Sequence, residues 1–465
     1  MTPEASPQGL TRRLAAFATT ARLADLEPSA RRVATRQALD GIACILAGSA
    51  TPRVAASLSL AETLDGRVAA ENAVPVVGLG LRAGPLVAAY AMAAACHALE
   101  YDDGNREGSV HPGAAVVSAA LAVGYHRGAT LGETFDAIVA GYEACVVTAE
   151  VMNPSAMRRG FQLTPVAGVL GAAAAAGRLL GLAEDPLERA LGIAGSASSG
   201  TFAYLAGGGD VKKLHPAHAA RSGVHAAYAA ARGLAVGPRG VLEGPGGLIH
   251  AFAGLGPEVA RRAVGGDRPA ICRSYLKPYP CCRHVHSAVD ALAGLVASHA
   301  LRGEDVERIE VETYAAAMAH VPLPWDTLEI AQLSFPYLMA VTAAHGTVAL
   351  AHFDARHRED AALAALAGRT IIREAEDLSA AYPAESPARV RLVTTDGRVL
   401  EAASRHPPGA PEAPMSDAAF ATKFAECARL APRLADPDGL LGRLESAAWE
   451  TPLRRVVDEH LIPHP

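Results

Sequence analysis

The stretch HALEYDDGNREGSVH, residues 97–111, is an acidic segment set between two apolar ones. LVAAYAMAAAC precedes it, and GAAVVSAALAVG follows shortly after Pro112; both have the small apolar residues of packed helices. Its acids are crowded around Asp102 and Asp103, and a histidine stands at each end. Crowded carboxylates raise one another's pKa, and burial raises it further. The stretch is therefore typical of a site that transfers protons near neutral pH.

Length and composition favour a helical protein with more than one domain. A chain of 465 residues is long for a single hydrophobic core, so two domains are expected. Hydrophobic residues make up 50% of the chain and aromatic ones only 5%, so its apolar content is mainly Ala, Leu and Val. This composition favours closely packed helices, because alanine is the best helix former and lets helix axes approach each other.

Charge, hydropathy and cysteine content argue against several classes of protein. The formal net charge of -6, without a basic block, argues against nucleic acid as the main partner. Gly, Ser, Thr or Pro interrupt the longest uncharged runs, and the N-terminus lacks the apolar core of a secretion signal, so neither a membrane span nor secretion is expected. Seven cysteines, an odd number without a CxxC pair, predict reduced thiols in a cytoplasmic enzyme.

Hydrophobic periodicity divides the chain into three parts. Residues 1–271 carry repeated helical spacing and predict the first part of a large, mainly α domain. Residues 272–405 mix helical and strand patterns and predict a smaller α+β domain, inserted into the helical one or sitting on it. Residues 406–465 begin with the Pro-rich linker HPPGAPEAPM and continue as helices that return to the first domain.

The clearest strand signals lie in the middle part. Alternation in RIEVETY predicts a strand over residues 306–314, and two further strands are predicted at 390–395 and 399–404. Asp396-Gly397 stands between these last two strands. An Asp-Gly pair between alternating apolar residues is the strongest short-range signal for a hairpin, so the two strands are predicted to pair.

An arginine pair precedes one of the predicted helices. Arg158 and Arg159 stand ahead of Thr164 and Pro165, which predict an N-cap followed by the first residue of a helix. A helix N-terminus carries free N–H groups and a partial positive charge. We expect the arginines either to complete an anion site there or to lie on an exposed loop.

A second basic cluster follows the glycines at 207–209. Lys212, Lys213, His215 and His218 lie within seven residues of one another. Two interpretations are open: a solvated basic turn, or a site that binds carboxylates and handles protons.

Residues 277–286, KPYPCCRHVH, offer possible metal ligands. His284 and His286 are spaced for ligation, and Cys281 and Cys282 are adjacent. Adjacent cysteines rarely bind one ion together, and neither an HExxH motif nor the cysteine spacing of an iron–sulfur cluster occurs. We therefore expect no metal. A cysteine nucleophile is possible, but nothing marks out one cysteine.

General acid–base chemistry on an anionic substrate is the remaining interpretation. Lys212, Lys277 and Arg283 can hold carboxylates, as can the Arg158 and Arg159 pair. Histidines and the acids at 100–103 can move protons. Abstracting a proton next to a carboxylate builds negative charge, which preplaced cations stabilise. Such a site needs no cofactor.

Several motifs together resemble the MmgE/PrpD family, which includes 2-methylcitrate dehydratase, cis-aconitate decarboxylase and iminodisuccinate epimerase. The resemblance covers nearly the whole chain. The motifs that carry it are HALEYDD…HPG at 97–113, RGFQLTPVAGVLGAAAAAGRLLGL at 160–182, KKLHPAHAARSG at 212–223, KPYPCCRHVHSAVDA at 277–291 and LSFPYLMA at 333–340.

The resemblance implies a large helical domain, a smaller α+β lid, a homodimer and a metal-independent site between the domains. Family positions carry over onto His111, Lys212, His215, Lys277, His286 and Tyr337. Joined to the reasoning from acidity and charge, they give two predicted sets. The catalytic set is His111, Lys212, Asp102, Asp103, Glu100 and His215. The substrate-binding set is Lys277, Arg283, His286, Tyr337, Gln162 and Arg159.

The sequence departs from the family pattern in its polar residues. Glu100 replaces the first acid of a D-x-D-D pattern, and Gly104 replaces the threonine that usually follows it. Gln162 stands where a histidine usually follows RGF, and one residue is inserted before His111. Because glutamine transfers no proton at neutral pH and glycine has no hydroxyl, we expect a different substrate or a reaction that needs fewer proton donors.

The leading hypothesis is a cofactor-independent lyase that dehydrates, or otherwise eliminates from, a carboxylate-bearing small molecule. The alternatives are an epimerase with two opposed bases, a decarboxylase, and a homologue that binds its ligand without turnover. Neither nucleic acid nor a membrane is expected as a partner.

Overall fold

The computed structural model describes residues 9–65, 68–207, 210–266 and 268–463. Contacts within the chain define two units, a large unit and a small unit. The large unit consists of Met1–Ala98, Asp102–Tyr275 and Asp417–Pro465, and the small unit of Leu99–Tyr101 and Leu276–Ser416. The acidic stretch therefore contributes to both units, because only its residues 99–101 belong to the small one.

The large unit is helical. A short hairpin pairs strand β1 (Val74–Pro75) with strand β2 (Arg82–Ala83). Its helices before the small unit are α1 (Leu10–Thr20), α2 (Pro28–Ser49), α3 (Pro52–Asp65), α4 (Pro85–Cys96), α5 (Pro112–Arg127), α6 (Leu131–Met152), α7 (Ser155–Arg158), α8 (Leu163–Leu179), α9 (Glu184–Gly195), α10 (Ala203–Gly207) and α11 (His215–Ala231).

Local sequence signals set the ends of these helices. Helix α5 starts with Pro112, whose missing N–H costs nothing in the first turn, and ends at Arg127, where Gly128 caps it in the left-handed conformation. Helix α6 begins with a capping box, in which the side chains of Thr130 and Glu133 accept bonds from each other's backbone N–H groups. The acidic stretch is thus held between α4 and α5, two helices with defined ends.

Small residues let the central helices approach closely. Every residue of α8 from Leu163 to Gly177 is buried. A β-carbon on Gly141 of α6 would lie 2.8 Å from the carbonyl oxygen of Gly171 on α8. The alanine-rich composition therefore places α8 in the interior, where a larger side chain would separate the helices.

The small unit is an α+β unit. It contains α12 (His286–Ser298), β3 (Val306–Thr313), α13 (Leu328–Ala331), α14 (Phe335–His345), α15 (Ala355–Arg358), α16 (Ala361–Gly368), β4 (Thr370–Glu374), α17 (Glu376–Ala381), β5 (Ala388–Thr394) and β6 (Val399–Ser404). The sheet order is β4-β3-β5-β6, with β3 and β4 parallel and the other pairs antiparallel. The predicted hairpin is confirmed: β5 and β6 pair, and Gly397 has φ +85° in the turn.

The Pro-rich segment after β6 lies against the small unit. The Arg283 guanidinium donates to the carbonyl oxygens of Pro407 and Pro408, each at 3.1 Å. The N–H of Leu276 donates to the carbonyl oxygen of Gly409 at 2.9 Å. Main-chain and side-chain bonds therefore fix a segment whose sequence alone reads as a linker.

The chain then returns to the large unit. It forms α18 (Asp417–Leu430), α19 (Leu440–Ser446) and α20 (Leu453–Val456). Helix α18 meets α2 through an ion pair between Lys423 Nζ and Asp40 Oδ1, 2.5 Å apart. Both side chains are at most 2% exposed, so each charge depends on the other for its stabilisation.

The predicted fold class, mainly α with a smaller α+β part, is confirmed. The predicted cap of α8 is wrong: the helix begins at Leu163, and Gln162 occupies the N-cap position. The Thr164 hydroxyl instead accepts a bond from the N–H of His111 at 3.1 Å. Of the three glycines at 207–209, which the sequence pattern indicates as a loop, Gly207 ends α10, and residues 208–209 lie outside the described residues.

Within the described residues, no single helix is long and apolar enough to cross a membrane. The pair Pro28–Ser49 and Pro52–Leu64 passes that test together, by length and composition only, with a bend of 82°. All seven cysteines are buried, and none forms a disulfide.

Replacing Lys423 with methionine is expected to destabilise the protein by about 3–5 kcal/mol, because it leaves the buried Asp40 carboxylate without its cation. The double variant D40N/K423M, which removes both charges, should recover much of that loss. Urea unfolding measures both effects. Arg32→Ala is the matched control, because Arg32 pairs with the exposed Asp417 across the same two helices and should leave the midpoint nearly unchanged. Equal midpoints for K423M and R32A would contradict the prediction.

Candidate functional site

A buried histidine–aspartate cluster forms where α4 ends and α5 begins. His97 Nδ1 lies 2.7 Å from Asp102 Oδ2, and both side chains are at most 1% exposed. His111 Nδ1 lies 3.6 Å from the same oxygen and 2.6 Å from the carbonyl oxygen of Asp103. The two imidazole rings meet edge to face with centroids 5.0 Å apart. The two ends of the acidic stretch are thus brought together around one carboxylate.

Hydrogen bonding fixes the protonation of these rings. A carbonyl oxygen only accepts, so Nδ1 of His111 carries the proton that it donates to Asp103. The lone pair of the neutral ring is then on Nε2, the nitrogen that can take a proton. The His111 side chain is 17% exposed, whereas His97 is fully buried. His111 is therefore the histidine of this cluster that solvent or a ligand can reach.

Two hydrogen bonds fix the side chain of Asp103, the residue next to Asp102. Its Oδ2 accepts a bond from the Tyr142 hydroxyl at 2.9 Å, and its Oδ1 accepts one from the N–H of Gly113 at 3.0 Å. Burial raises the pKa of Asp103 well above its ordinary value, and the nearby charges of Asp102 and Asp40 raise it further. The crowding of acids predicted from the sequence therefore exists, and it extends to Asp40 on α2.

Gln162 and His215 form a second polar pair in the large unit. His215 Nδ1 is bonded to the Gln162 side-chain oxygen, so this nitrogen carries the ring proton. Burial lowers the pKa of His215 to about 4, and the nearby His97, His218 and Lys212 act in the same direction. His215 is therefore neutral at neutral pH. The glutamine that replaces a family histidine acts here as an acceptor that orients His215.

The basic residues predicted for the large unit lie in two environments. Lys212 and Lys213 are buried in a short turn that leads into α11, which contradicts the interpretation as a solvated turn. Arg158 and Arg159 are exposed at the end of α7. Of the two alternatives predicted for Arg159, an anion site or an exposed loop, its position thus agrees with the exposed loop. An anion site at the N-terminus of α8 remains a prediction.

Gly104 is explained by a neighbouring tyrosine. The backbones of Gly104 and Tyr275 bond to each other in both directions, at 3.1 and 2.7 Å. A β-carbon on Gly104 would lie 2.3 Å from the Tyr275 hydroxyl oxygen. The absence of a side chain at Gly104 therefore makes room for the Tyr275 ring. The Tyr275 hydroxyl lies where the side chain of the usual threonine would begin.

In the small unit, Lys277 is paired with Glu100. Lys277 Nζ donates to the Glu100 carbonyl oxygen at 3.0 Å and lies 3.4 Å from Oε2 of the same residue. The Lys277 side chain is fully buried, and that of Glu100 is 2% exposed. Glu100 also adopts φ +53°, a left-handed conformation that strains a residue other than glycine. The Lys277 ammonium thus already faces a carboxylate of this chain, and its role toward a substrate remains a prediction.

The other residues predicted to bind substrate in the small unit have internal partners. His286 is fully buried, with Nε2 3.2 Å from the Cys281 carbonyl oxygen and Nδ1 3.2 Å from the Arg283 guanidinium. The Tyr337 hydroxyl donates to the carbonyl oxygen of His352, and burial raises the pKa of Tyr337 to about 12. These contacts give all three side chains a structural role, whatever they do with a ligand.

Metal ligation is geometrically possible at two histidine clusters among the described residues. One nitrogen or carboxylate oxygen from each of His97, Asp102 and His111 lies within 4.8 Å of the others, and a second cluster lies in the small unit. In the first cluster, the ring nitrogens that face Asp102 are the two Nδ1 atoms, which carry protons that they donate to oxygen atoms, so these two atoms have no lone pair for an ion held by that carboxylate. The Cys281 to His286 segment, considered from the sequence, does not belong to either cluster.

Sequence reasoning missed several residues that build the site. Tyr142 lies inside a long helical pattern, where it gives no distinct signal, and Thr164 was predicted only as a helix cap and not as the acceptor for the N–H of His111. Asp40 could have been noticed as a single acid within the apolar helix QALDGIACILAG. Its partner Lys423 is 383 positions away in an ordinary amphipathic segment, so only the folded chain reveals the pair.

The fold and the site define a mainly helical protein with a buried histidine–aspartate cluster between two of its helices. The model of the MmgE/PrpD N-terminal domain matches residues 12–259, and that of the MmgE/PrpD C-terminal domain matches residues 279–436. The chain therefore belongs to the MmgE/PrpD family, which confirms the predicted resemblance.

Its curated relatives include lyases. A cis-aconitate decarboxylase of Aspergillus terreus is 26% identical over 413 residues, which cover 83% of this chain and 82% of that protein. A cis-aconitate decarboxylase-like protein of Aspergillus oryzae is 31% identical over 230 residues, which cover 48% of this chain and 47% of that protein. The family assignment and these relatives support a lyase-type enzyme.

Replacing Gly104 with alanine is expected to destabilise the protein by about 1–3 kcal/mol, because the new β-carbon overlaps the buried Tyr275 ring. Chemical denaturation measures the loss. Gly442→Ala is the control, because nothing lies within 4 Å of a β-carbon at that helical position. A G104A protein as stable as G442A would show that the Tyr275 ring moves aside at no cost.

Acid sensitivity is expected to decrease in the variant His215→Asn. The folded pKa of about 4 lies below the ordinary value of 6.5, so the unfolded chain takes up this proton first as the pH falls. The stability contributed by neutral His215 is therefore present above 6.5 and is lost as the pH falls toward 4. Denaturation at about pH 7 and about pH 5 should show a smaller loss in H215N than in the wild type. His225→Asn, exposed on the same helix, should keep the wild-type loss.

Proposed function

We propose that this protein is a lyase that acts on a carboxylate-bearing small molecule by general acid–base catalysis, without a cofactor. The observation that carries the proposal is His111. It is the partly exposed member of a buried histidine–aspartate cluster, and the bond from its Nδ1 to the Asp103 carbonyl oxygen leaves Nε2 as the proton acceptor. This arrangement is what a general base requires: a fixed tautomer, a fixed ring and access for a ligand.

The cluster is suited to stabilising the charge that forms on His111. When Nε2 takes a proton from a carbon next to a carboxylate, the imidazole becomes a cation. Asp102 Oδ2 lies 3.6 Å from the Nδ1 atom of that ring, in a buried position where charge interactions are stronger than in water. His97 donates to the same oxygen and holds the carboxylate in place. Asp102 thus stabilises the protonated form of the base at the moment it is needed.

In the elimination that we favour, atoms and charges balance without a further reagent. His111 removes the proton, the C–H electrons form a carbon–carbon double bond, and the C–O bond to the leaving hydroxyl breaks. That hydroxyl leaves as water when an acid donates a proton to it. Lys212, a buried lysine whose charge acts on the nearby His215, is our candidate for this acid.

Decarboxylation is the second candidate, and the names of the Aspergillus relatives favour it. In that reaction a carbon–carboxylate bond breaks, carbon dioxide leaves, and the electron pair left on carbon takes a proton. The same His111 would then act in its protonated form as the donor. Both reactions need an ordered imidazole close to a carbon that carries negative charge, so His111 keeps its importance in either case.

Incubating the full-length protein with a panel of hydroxy, unsaturated and amino polycarboxylic acids in D2O would separate the candidates. Proton NMR that shows a new double bond would support elimination, and release of carbon dioxide would support decarboxylation. Exchange of a substrate C–H with solvent deuterium, without either product, would show an epimerase and overturn the lyase. Binding without chemistry would also overturn it.

Replacing His111 with asparagine is expected to reduce kcat on the acid that is turned over by about 10²–10⁴-fold, because the general base is lost. Asparagine can still donate to the Asp103 carbonyl oxygen, so the fold should be kept. His225→Asn, exposed on α11, serves as the control and should keep wild-type turnover. Turnover by H111N close to that of H225N would remove His111 from the mechanism.

A further inference from the structure

Three histidines of the small unit come together at its surface, at the end of α14, in the turn that follows and in α15. We call His345, His352 and His357 the imidazole cluster. One ring nitrogen from each lies within 4.8 Å of those of the other two. His345 is exposed, and the other two are half-buried, so the cluster is open to solvent. Nothing in the proposed reaction uses it.

We propose that the imidazole cluster is a binding site for a divalent transition-metal ion of the Zn²⁺, Ni²⁺ or Cu²⁺ class. Imidazole nitrogen is a preferred ligand of these ions, whereas Mg²⁺ and Ca²⁺ favour oxygen ligands. Three imidazoles without a thiolate therefore select the transition-metal ions. Three protein ligands leave a coordination position for water, so the site need not be closed.

A carboxylate orients one of the three ligands. His357 Nδ1 lies 2.7 Å from Asp354 Oδ1, and because a carboxylate only accepts, this nitrogen carries the ring proton. The lone pair of His357 is therefore on Nε2. The Asp354 side chain also accepts a bond from the His357 backbone N–H at 2.9 Å, which caps α15. A carboxylate bonded to the outer nitrogen of a histidine is the usual support of a metal ligand.

A hydrogen bond from a buried tyrosine fixes part of the backbone that carries the imidazole cluster. The buried Tyr337 hydroxyl donates to the carbonyl oxygen of His352. Tyr337 lies on α14, the same helix that ends at His345. Two of the three ligands are thus tied to one helix, and a metal ion would join its end to the start of α15.

Binding requires a small rearrangement of side chains. The rings of His345 and His352 are stacked, with centroids 4.4 Å apart and planes 19° from parallel. Because an imidazole lone pair lies in the plane of its ring, two stacked rings cannot both point at one ion. Tetrahedral zinc places two nitrogen ligands about 3.4 Å apart, so the exposed His345 has to rotate toward the other two. His352 Nδ1 accepts a bond from the N–H of Ala349 at 3.2 Å. This bond has to break if that nitrogen is to bind the metal.

Isothermal titration of the untagged, metal-free, full-length protein with Zn²⁺ tests the proposal. We expect about one equivalent bound per chain at this site and a loss of affinity of about tenfold or more in each of H345N, H352N and H357N. Titration with Co²⁺ should give the visible absorption of a tetrahedral or five-coordinate ion. His299→Asn, exposed elsewhere in the small unit, is the matched control and should bind like the wild type.

Two further variants separate this site from others and from misfolding. Asp354→Asn keeps an acceptor for the cap but removes the charge, so it should fold normally and bind Zn²⁺ about 10–100-fold more weakly. H97N/H111N removes the cluster in the large unit and should leave this binding intact. Binding that survives in the triple variant H345N/H352N/H357N, or is lost in H97N/H111N alone, would overturn the proposal, as would no binding by the wild type. None of these outcomes depends on the proposed reaction.

Discussion

Carboxylates buried in an almost purely apolar helical interior are the constraint on which the structure depends. Each buried charge costs several kcal/mol unless it has a partner, and four buried acids of the described residues have one. Asp102 has His97 and the nearby His111, Asp103 has the Tyr142 hydroxyl, and Asp40 has Lys423. In the small unit, Glu100 is paired with Lys277. Lys423 and Lys277 lie far from their acids in the sequence, so these two pairs also fix distant parts of the chain to each other.

Small residues make this arrangement possible. Alanine and glycine along α8 allow neighbouring helices to approach until backbone contacts backbone, as at Gly141 and Gly171. Long, tightly packed helices then hold the acidic stretch at both ends, and its polar side chains have little freedom to move. Close approach also depends on a small residue at Gly104, because the ring of Tyr275 occupies the space that a side chain would need. A departure from the family pattern is here compensated by a residue from a distant part of the chain.

Much of the architecture was predictable because it depends on local signals. Apolar spacing indicated most helices, and Asp396-Gly397 marked the hairpin. The predicted cap of α8 was wrong for a tertiary reason, since the Thr164 hydroxyl is used by the N–H of His111. Residues grouped by sequence, such as the acidic stretch, were correctly singled out as a polar cluster. Pairs such as Asp40 with Lys423 were not, because nothing local joins them.

The sequence by itself determined the family, the mainly helical fold class and the crowded acids, since these depend on composition, periodicity and short motifs. Only the tertiary structure decided which nitrogen of His111 carries the proton, which histidine is accessible, and that Lys277 and Tyr337 already have partners within the chain. The imidazole cluster belongs to this second group. Its histidines are separated by six and four residues, an irregular spacing that becomes a cluster only when α14 ends and the chain turns back on itself.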